Sequence, residues 1–161
     1  MKKTFKAIVR FIRNFIKWYP ILKSDEDFDY RYILEILKFK IDKTANYIDR
    51  HNRYIDYEID VNKMKLCSRL IEKVQTQYYL YMYLDYVKLE VTVDKNKEIH
   101  VSTYLSEEKQ REFFTKYKNA CRRFKGDTPI ETIHIVSTEK HRQARRILFT
   151  LLEKEMERWW D

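Results

Sequence analysis

The sequence predicts a mainly α (α+β) fold: about five helices with a small two- or three-stranded antiparallel sheet. Three observations carry that expectation. Apolar residues recur at helical spacing through most of the chain. The period drops to two in a stretch beginning at Val87, the mark of a half-buried strand. One glycine and two prolines in 161 residues leave few tight turns. The length suits a single domain over 1–161. Within it we read a basic amphipathic helix at 1–20, a helical stretch at 21–86, a β-hairpin at 87–104 and a second helical stretch at 105–161.

The first helix is the most sharply divided. At 100° per residue, Lys2, Lys3, Lys6, Arg10, Arg13 and Lys17 fall within an arc of roughly 120°. Phe5, Ile8, Val9, Phe11, Ile12, Phe15, Ile16, Trp18 and Tyr19 occupy the opposite half, and no acid precedes Asp25. Pro20 predicts its end. Ser24 with Asp27 resembles a capping box for the second helix, whose stripe is Ile33, Ile36, Leu37, Ile41, Ala45 and Ile48. After a polar connection at His51–Tyr57, Asp60 caps a third helix with Met64, Cys67, Leu70, Ile71, Val74 and Tyr78 on one face. The tyrosine cluster Tyr78–Tyr86 is left open between helix and strand.

Val87, Leu89, Val91 and Val93 alternate with Lys88, Glu90 and Thr92. Asp94-Lys95-Asn96-Lys97 supplies a turn, and Ile99, Val101 and Thr103 return. Ser106 caps a fourth helix burying Phe113, Tyr117, Ala120, Cys121 and Phe124. Gly126 is expected to end it in a left-handed conformation, with Pro129 beyond. Ile133 and Ile135 mark a short third strand. Ser137 or Thr138 then opens the last helix, with Ala144, Ile147, Leu148, Leu151, Leu152, Met156 and Trp159 inward.

Charge is unevenly placed within a net +8. Residues 1–23 hold seven bases and no acids, 24–60 six bases and ten acids, and 95–126 nine bases and four acids. Two cationic zones thus flank an acidic stretch, and Asp25, Asp27 and Asp29 are available to pair with the first zone. The lone glycine rules out a glycine-rich phosphate loop or dinucleotide fingerprint. Cys67 and Cys121 fall on apolar helix positions and read as buried free thiols, pointing to a reducing compartment. No cysteine–histidine spacing calls for a metal, no cofactor is implied, and no stretch is apolar enough to span a membrane.

The blocks Tyr32–Lys40 (YILEILKFK), Met64–Lys73 (MKLCSRLIEK) and Arg146–Asp161 (RILFTLLEKEMERWWD) resemble a family of small proteins of large gut bacteriophages. The terminal Trp159-Trp160-Asp161 is the most distinctive part. The resemblance implies a phage origin and action inside an infected bacterium, hence a cytoplasmic place; a part in host takeover or anti-defence is our reading of the function. The resemblance carries no site residues with it.

The candidate phosphate-binding cations are Arg10, Arg13, Arg122, Arg123, Arg142, Arg145 and Arg146, with Tyr79, Tyr81 and Tyr83 available for base stacking. Arg145 and Arg146 are expected near the start of the last helix, where its dipole attracts anions. Trp160, off the core stripe, is a candidate partner or homo-oligomer contact. The reading is a non-enzymatic protein binding a polyanion, either nucleic acid or a nucleotide. The alternative is a peripheral membrane or structural, oligomeric protein using the first helix, whose Ile8, Ile12 and Phe15 either pack on the second helix or enter a membrane surface. A further reading sets His100 and His134 on adjacent strands, with Ser102 two residues after the first and Val136 standing where the second copy should have its hydroxyl. That arrangement resembles the two-histidine phosphoesterases.

Overall fold

The computed structural model describes residues 2–23, 30–95 and 97–160. Among them are seven α-helices, two 3₁₀ turns and one β-hairpin, so the chain is mainly helical with a two-stranded sheet. Two compact units divide it, Met1–Ser68 and Arg69–Asp161.

The first unit opens with α1 (Lys2–Leu22), which contains Pro20 instead of stopping there. The proline removes one ladder bond near the helix end, and the backbone bond from Lys23 N–H to the Tyr19 carbonyl, 3.0 Å, carries the helix past it. The indole of Trp18 lies 5.0 Å from the ring of Phe39 on α2 (Tyr30–His51), and Ile21 is buried. The expected Ser24–Asp27 cap, and the acids Asp25, Asp27 and Asp29, lie outside the described residues. On α2, Leu34, Ile41, Ala45 and Ile48 are buried, whereas Ile33 is exposed. Asn52 and Asp56 take positive φ in the connection, a conformation short polar side chains tolerate. The next helix, α3 (Tyr57–Gln75), begins three residues before the expected cap. Asp60 sits buried inside its first turn and accepts a hydrogen bond from the Tyr54 hydroxyl at 2.8 Å.

In the second unit the tyrosine cluster is helical. Gln77 enters left-handed geometry (φ 52°) and separates α3 from α4 (Tyr78–Tyr81), followed by a 3₁₀ turn at Met82–Asp85. A core gathers Met82, Tyr86, Val87, Phe113, Cys121, Ile133 and Val136. Phe113 is fully buried, with the rings of Tyr86 and Tyr117 at 4.9 and 4.8 Å. Strands β1 (Val87–Val93) and β2 (Ile99–Leu105) pair antiparallel with Val91 opposite Val101. The strands are not half-buried as the alternation suggests. Only Val87 is buried, and the apolar face beyond it is open.

Ser106 caps α5 (Glu107–Lys116) as expected, accepting from the Lys109 N–H at 3.3 Å. The single fourth helix of the sequence reading is in fact two. At Tyr117 the backbone leaves helical geometry, its hydroxyl meets the Met82 sulfur at 3.2 Å, and α6 (Lys118–Arg123) follows. This break and the short α4 raise the helix count from about five to seven. Gly126 is not left-handed. What demands glycine is proximity: a Cβ there would lie 2.7 Å from Cγ of Glu131.

The last helix, α7 (Pro129–Glu155), absorbs the third strand expected at Ile133 and Ile135. Its start is set by Thr128, whose hydroxyl accepts from the Glu131 N–H at 3.1 Å, with Pro129 in the first turn. Ile133, Val136, Ala144, Leu148 and Leu152 are buried at helical spacing, as is Trp159 in the closing 3₁₀ turn.

Candidate functional site

On α1 every residue from Phe5 to Lys17 is exposed. Helical geometry puts Lys6, Arg10, Arg13 and Lys17 on one side, and Phe5, Ile8, Val9, Phe11, Ile12, Phe15 and Ile16 on the other half. Phe11 and Ile16 keep 69% and 67% of their surface in water. Ile8, Ile12 and Phe15, for which the sequence allowed packing on the second helix, keep 51%, 50% and 51% of their surface exposed. Phe11, Phe15 and Tyr19 form a ladder of rings along the apolar side, 6.4 and 6.0 Å apart. No ion pair among the described residues engages the four cations. Among the described residues the helix therefore presents an exposed apolar side from Phe5 to Ile16 and a cationic arc without ion pairs.

The remaining candidate arginines lie in the second unit. Arg145 and Arg146 sit past the middle of α7, because that helix starts at Pro129, so its N-terminal dipole does not reach them. Arg142 is engaged by Glu139, with its Nε and Nη2 at 3.0 and 2.7 Å from one carboxylate oxygen. The Arg123 guanidinium lies over the Phe124 ring at 5.2 Å. Arg122 belongs to a different setting: with Lys118 and Lys125 it rims an open cavity of about 470 Å³ floored by Phe114, Cys121, Pro129 and Thr132. Lys118 is the residue the sequence reading passed over, although Phe114, Lys118 and Arg122 recur every four residues. The helix terminus at this cavity is internally satisfied. Gly126 N–H donates to Thr132 Oγ1 at 3.0 Å, and Asp127 N–H to the Glu131 carboxylate at 2.8 Å.

The stacking candidates separate in the same way. Tyr79 and Tyr83 pack against the core. Tyr79 also has the Lys73 ammonium 5.2 Å over its ring, and Tyr83 meets His134 edge-on at 5.6 Å. Tyr81 is exposed. Trp160 is partly exposed and sits edge-on to the buried Trp159 at 6.5 Å.

His100 and His134 do not share a sheet face. His100 is on β2, with Nε2 3.7 Å from the Asp94 carboxylate, while His134 is on α7. The two-strand premise of phosphoesterase chemistry is therefore overturned. Asp94, Glu98 and His100 cluster within 4.8 Å at the hairpin turn, where Asp94 accepts the Glu98 N–H at 2.8 Å and so serves the turn itself. Both cysteines are free and buried. Burial, with the Asp42 carboxylate adding to it, pushes the Cys67 thiol up to about 11. Burial raises Cys121 as well, so both stay protonated and unreactive at neutral pH. Among the described residues no helix is long and apolar enough to cross a membrane. Comparison with protein-family models, curated proteins and solved structures finds no match for this chain.

Proposed function

We propose that this protein binds the surface of anionic membranes through α1, which lies in the interface plane with its apolar half among the acyl chains. The observation that carries this reading is the exposure of both faces of α1 at once. A nucleic acid would satisfy the cations and leave the apolar half in water. A coiled-coil partner would need only a narrow seam, whereas this face spans about half the helix circumference. A membrane interface takes both faces. Each cation near an anionic surface contributes about 1 kcal/mol, so Lys6, Arg10, Arg13 and Lys17 together supply on the order of 4 kcal/mol, or about three decades in affinity. That electrostatic part discriminates anionic from neutral lipid and weakens with salt. The resemblance to phage proteins would make the membrane that of the bacterial host.

Flotation of the full chain with vesicles of phosphatidylglycerol and phosphatidylcholine tests the reading. Co-flotation that salt weakens and Ile12→Asp abolishes is the expected result. Absence of the protein from the vesicle fraction at low salt refutes it.

The cavity rimmed by Lys118, Arg122 and Lys125 favours a second reading, a small phosphate-bearing ligand with a flat apolar body resting on Phe114. None of these three cations has an ion-pair partner among the described residues, and the apolar floor suits a base better than a bare phosphate. Calorimetric titration with ATP is the check: heat that Arg122→Glu removes supports the site, and no heat at millimolar ATP dismisses it.

A further inference from the structure

The hairpin carries a second unpartnered apolar face. Cross-strand pairing puts Leu89 beside Thr103, Val91 beside Val101 and Val93 beside Ile99 on one side of the ribbon. Lys88, Glu90, Thr92, His100, Ser102 and Tyr104 occupy the other. Val93 and Ile99 remain 64% and 69% exposed, and Leu89, Val91 and Val101 are open to a similar degree. A two-stranded ribbon is marginal without a third strand or a packed face, and nothing among the described residues covers this one.

We infer that this face is the interface between two copies of the chain, packed hairpin to hairpin about a two-fold axis. Charge identifies the occupant. Residues 87–105 hold three bases, Lys88, Lys95 and Lys97, and three acids, Glu90, Asp94 and Glu98. This neutral ribbon has no cationic surplus to draw it to an anionic surface, and two copies meet without repulsion. Shape agrees: the face is uncharged and centred on the Val91–Val101 pair, with Val93 and Ile99 on one side of it and Leu89 and Thr103 on the other. A two-fold rotation through that pair lays Val91 and Val101 against their copies in an isologous contact, with Thr103 the one hydroxyl-bearing position on the face. Area agrees as well. Five aliphatic residues exposed to this degree offer at most on the order of 500 Å² per copy, so a pair buries no more than about 1,000 Å², at the weak, transient end of specific interfaces. The dimer is accordingly weak and concentration-dependent.

Sedimentation equilibrium of the full chain over a wide concentration range tests this. The wild type should move from one to two chain masses as concentration rises. Val91→Lys, an exposed substitution, should keep the far-ultraviolet spectrum and hold the mass at one chain throughout. Thr92→Lys, on the opposite face, should dimerise like the wild type. Ile12→Asp should also dimerise normally, which separates this interface from the membrane reading of α1. A wild type that stays monomeric, or a Val91→Lys chain that still dimerises, overturns the inference.

Discussion

Helices α1 and α7 are both long, and both carry an apolar stripe at helical period, yet α7 buries its stripe and α1 leaves its own in water. The periodicity is the same; the flanks differ. On α7 charges of both signs are present, with Glu139 holding Arg142 and Glu155 holding Arg158 just past the helix end, as on a helix whose outer face meets solvent. On α1 every charge is positive. Hydrophobic spacing locates a stripe, and the sign of its margins indicates what covers it.

The same substitution in the two helices should separate them most widely. Leu148→Ala removes a fully buried side chain and should cost about 2–5 kcal/mol in urea unfolding. Ile12→Ala should change stability by no more than about 0.5 kcal/mol, because the side chain is already half in water. On vesicles the ranking reverses. Losing most of an inserted isoleucine forfeits about 1.5–3 kcal/mol, or roughly 10- to 100-fold in partition, while Leu148→Ala should partition like the wild type under conditions where it remains folded. Equal loss of stability in both variants would mean that α1 is a core helix after all.

Reversing the cations probes the other half of α1. Arg10→Glu with Arg13→Glu should abolish the preference for anionic over neutral vesicles and leave the unfolding midpoint nearly unchanged, since neither guanidinium holds a partner among the described residues. A residual anionic preference would assign the attraction to another basic surface, with Lys118, Arg122 and Lys125 the first to examine.

Much of this frame was readable in the residues, and the failures have physical causes. The hairpin, the Ser106 cap and most of the buried stripes of α2 and α3 followed from period and capping chemistry, whereas Ile33 is exposed and Tyr78, also exposed, belongs to α4. The third strand did not survive, because Ile133 and Ile135 satisfy a two-residue alternation by accident, whereas Thr128-Pro129-Ile130-Glu131 is a complete helix start. The split at Tyr117 left no local mark, because it depends on Phe113 and Met82, four and thirty-five residues away. Asp60 is not the cap because α3 already begins at Tyr57, which puts Asp60 inside the first turn, where its carboxylate accepts from the Tyr54 hydroxyl. Of the site, the segregation of α1 was legible at once. Its exposure was not, since an amphipathic pattern is silent about whether the chain itself provides the cover. The cavity rim depends on how α6 meets the start of α7, which composition does not encode.

The smallest expected effect contrasts the two helices through pH. His141 on α7 has a buried Nδ1 without a hydrogen-bond partner. Burial lowers its proton affinity below the ordinary 6.5, and the nearby Arg145 lowers it further. The folded chain therefore keeps this imidazole neutral at pH values where the unfolded chain has begun to protonate it. Its contribution to stability is complete above about pH 6.5 and is lost as pH falls through the interval down to the folded value. The urea midpoint should thus decline as pH falls below about 6.5, and His141→Gln should flatten that part of the decline. There is no histidine between Phe5 and Lys17, so vesicle binding should be level across this range. A parallel fall in binding and stability would show that lipid binding needs the folded second unit and is not a property of α1 alone.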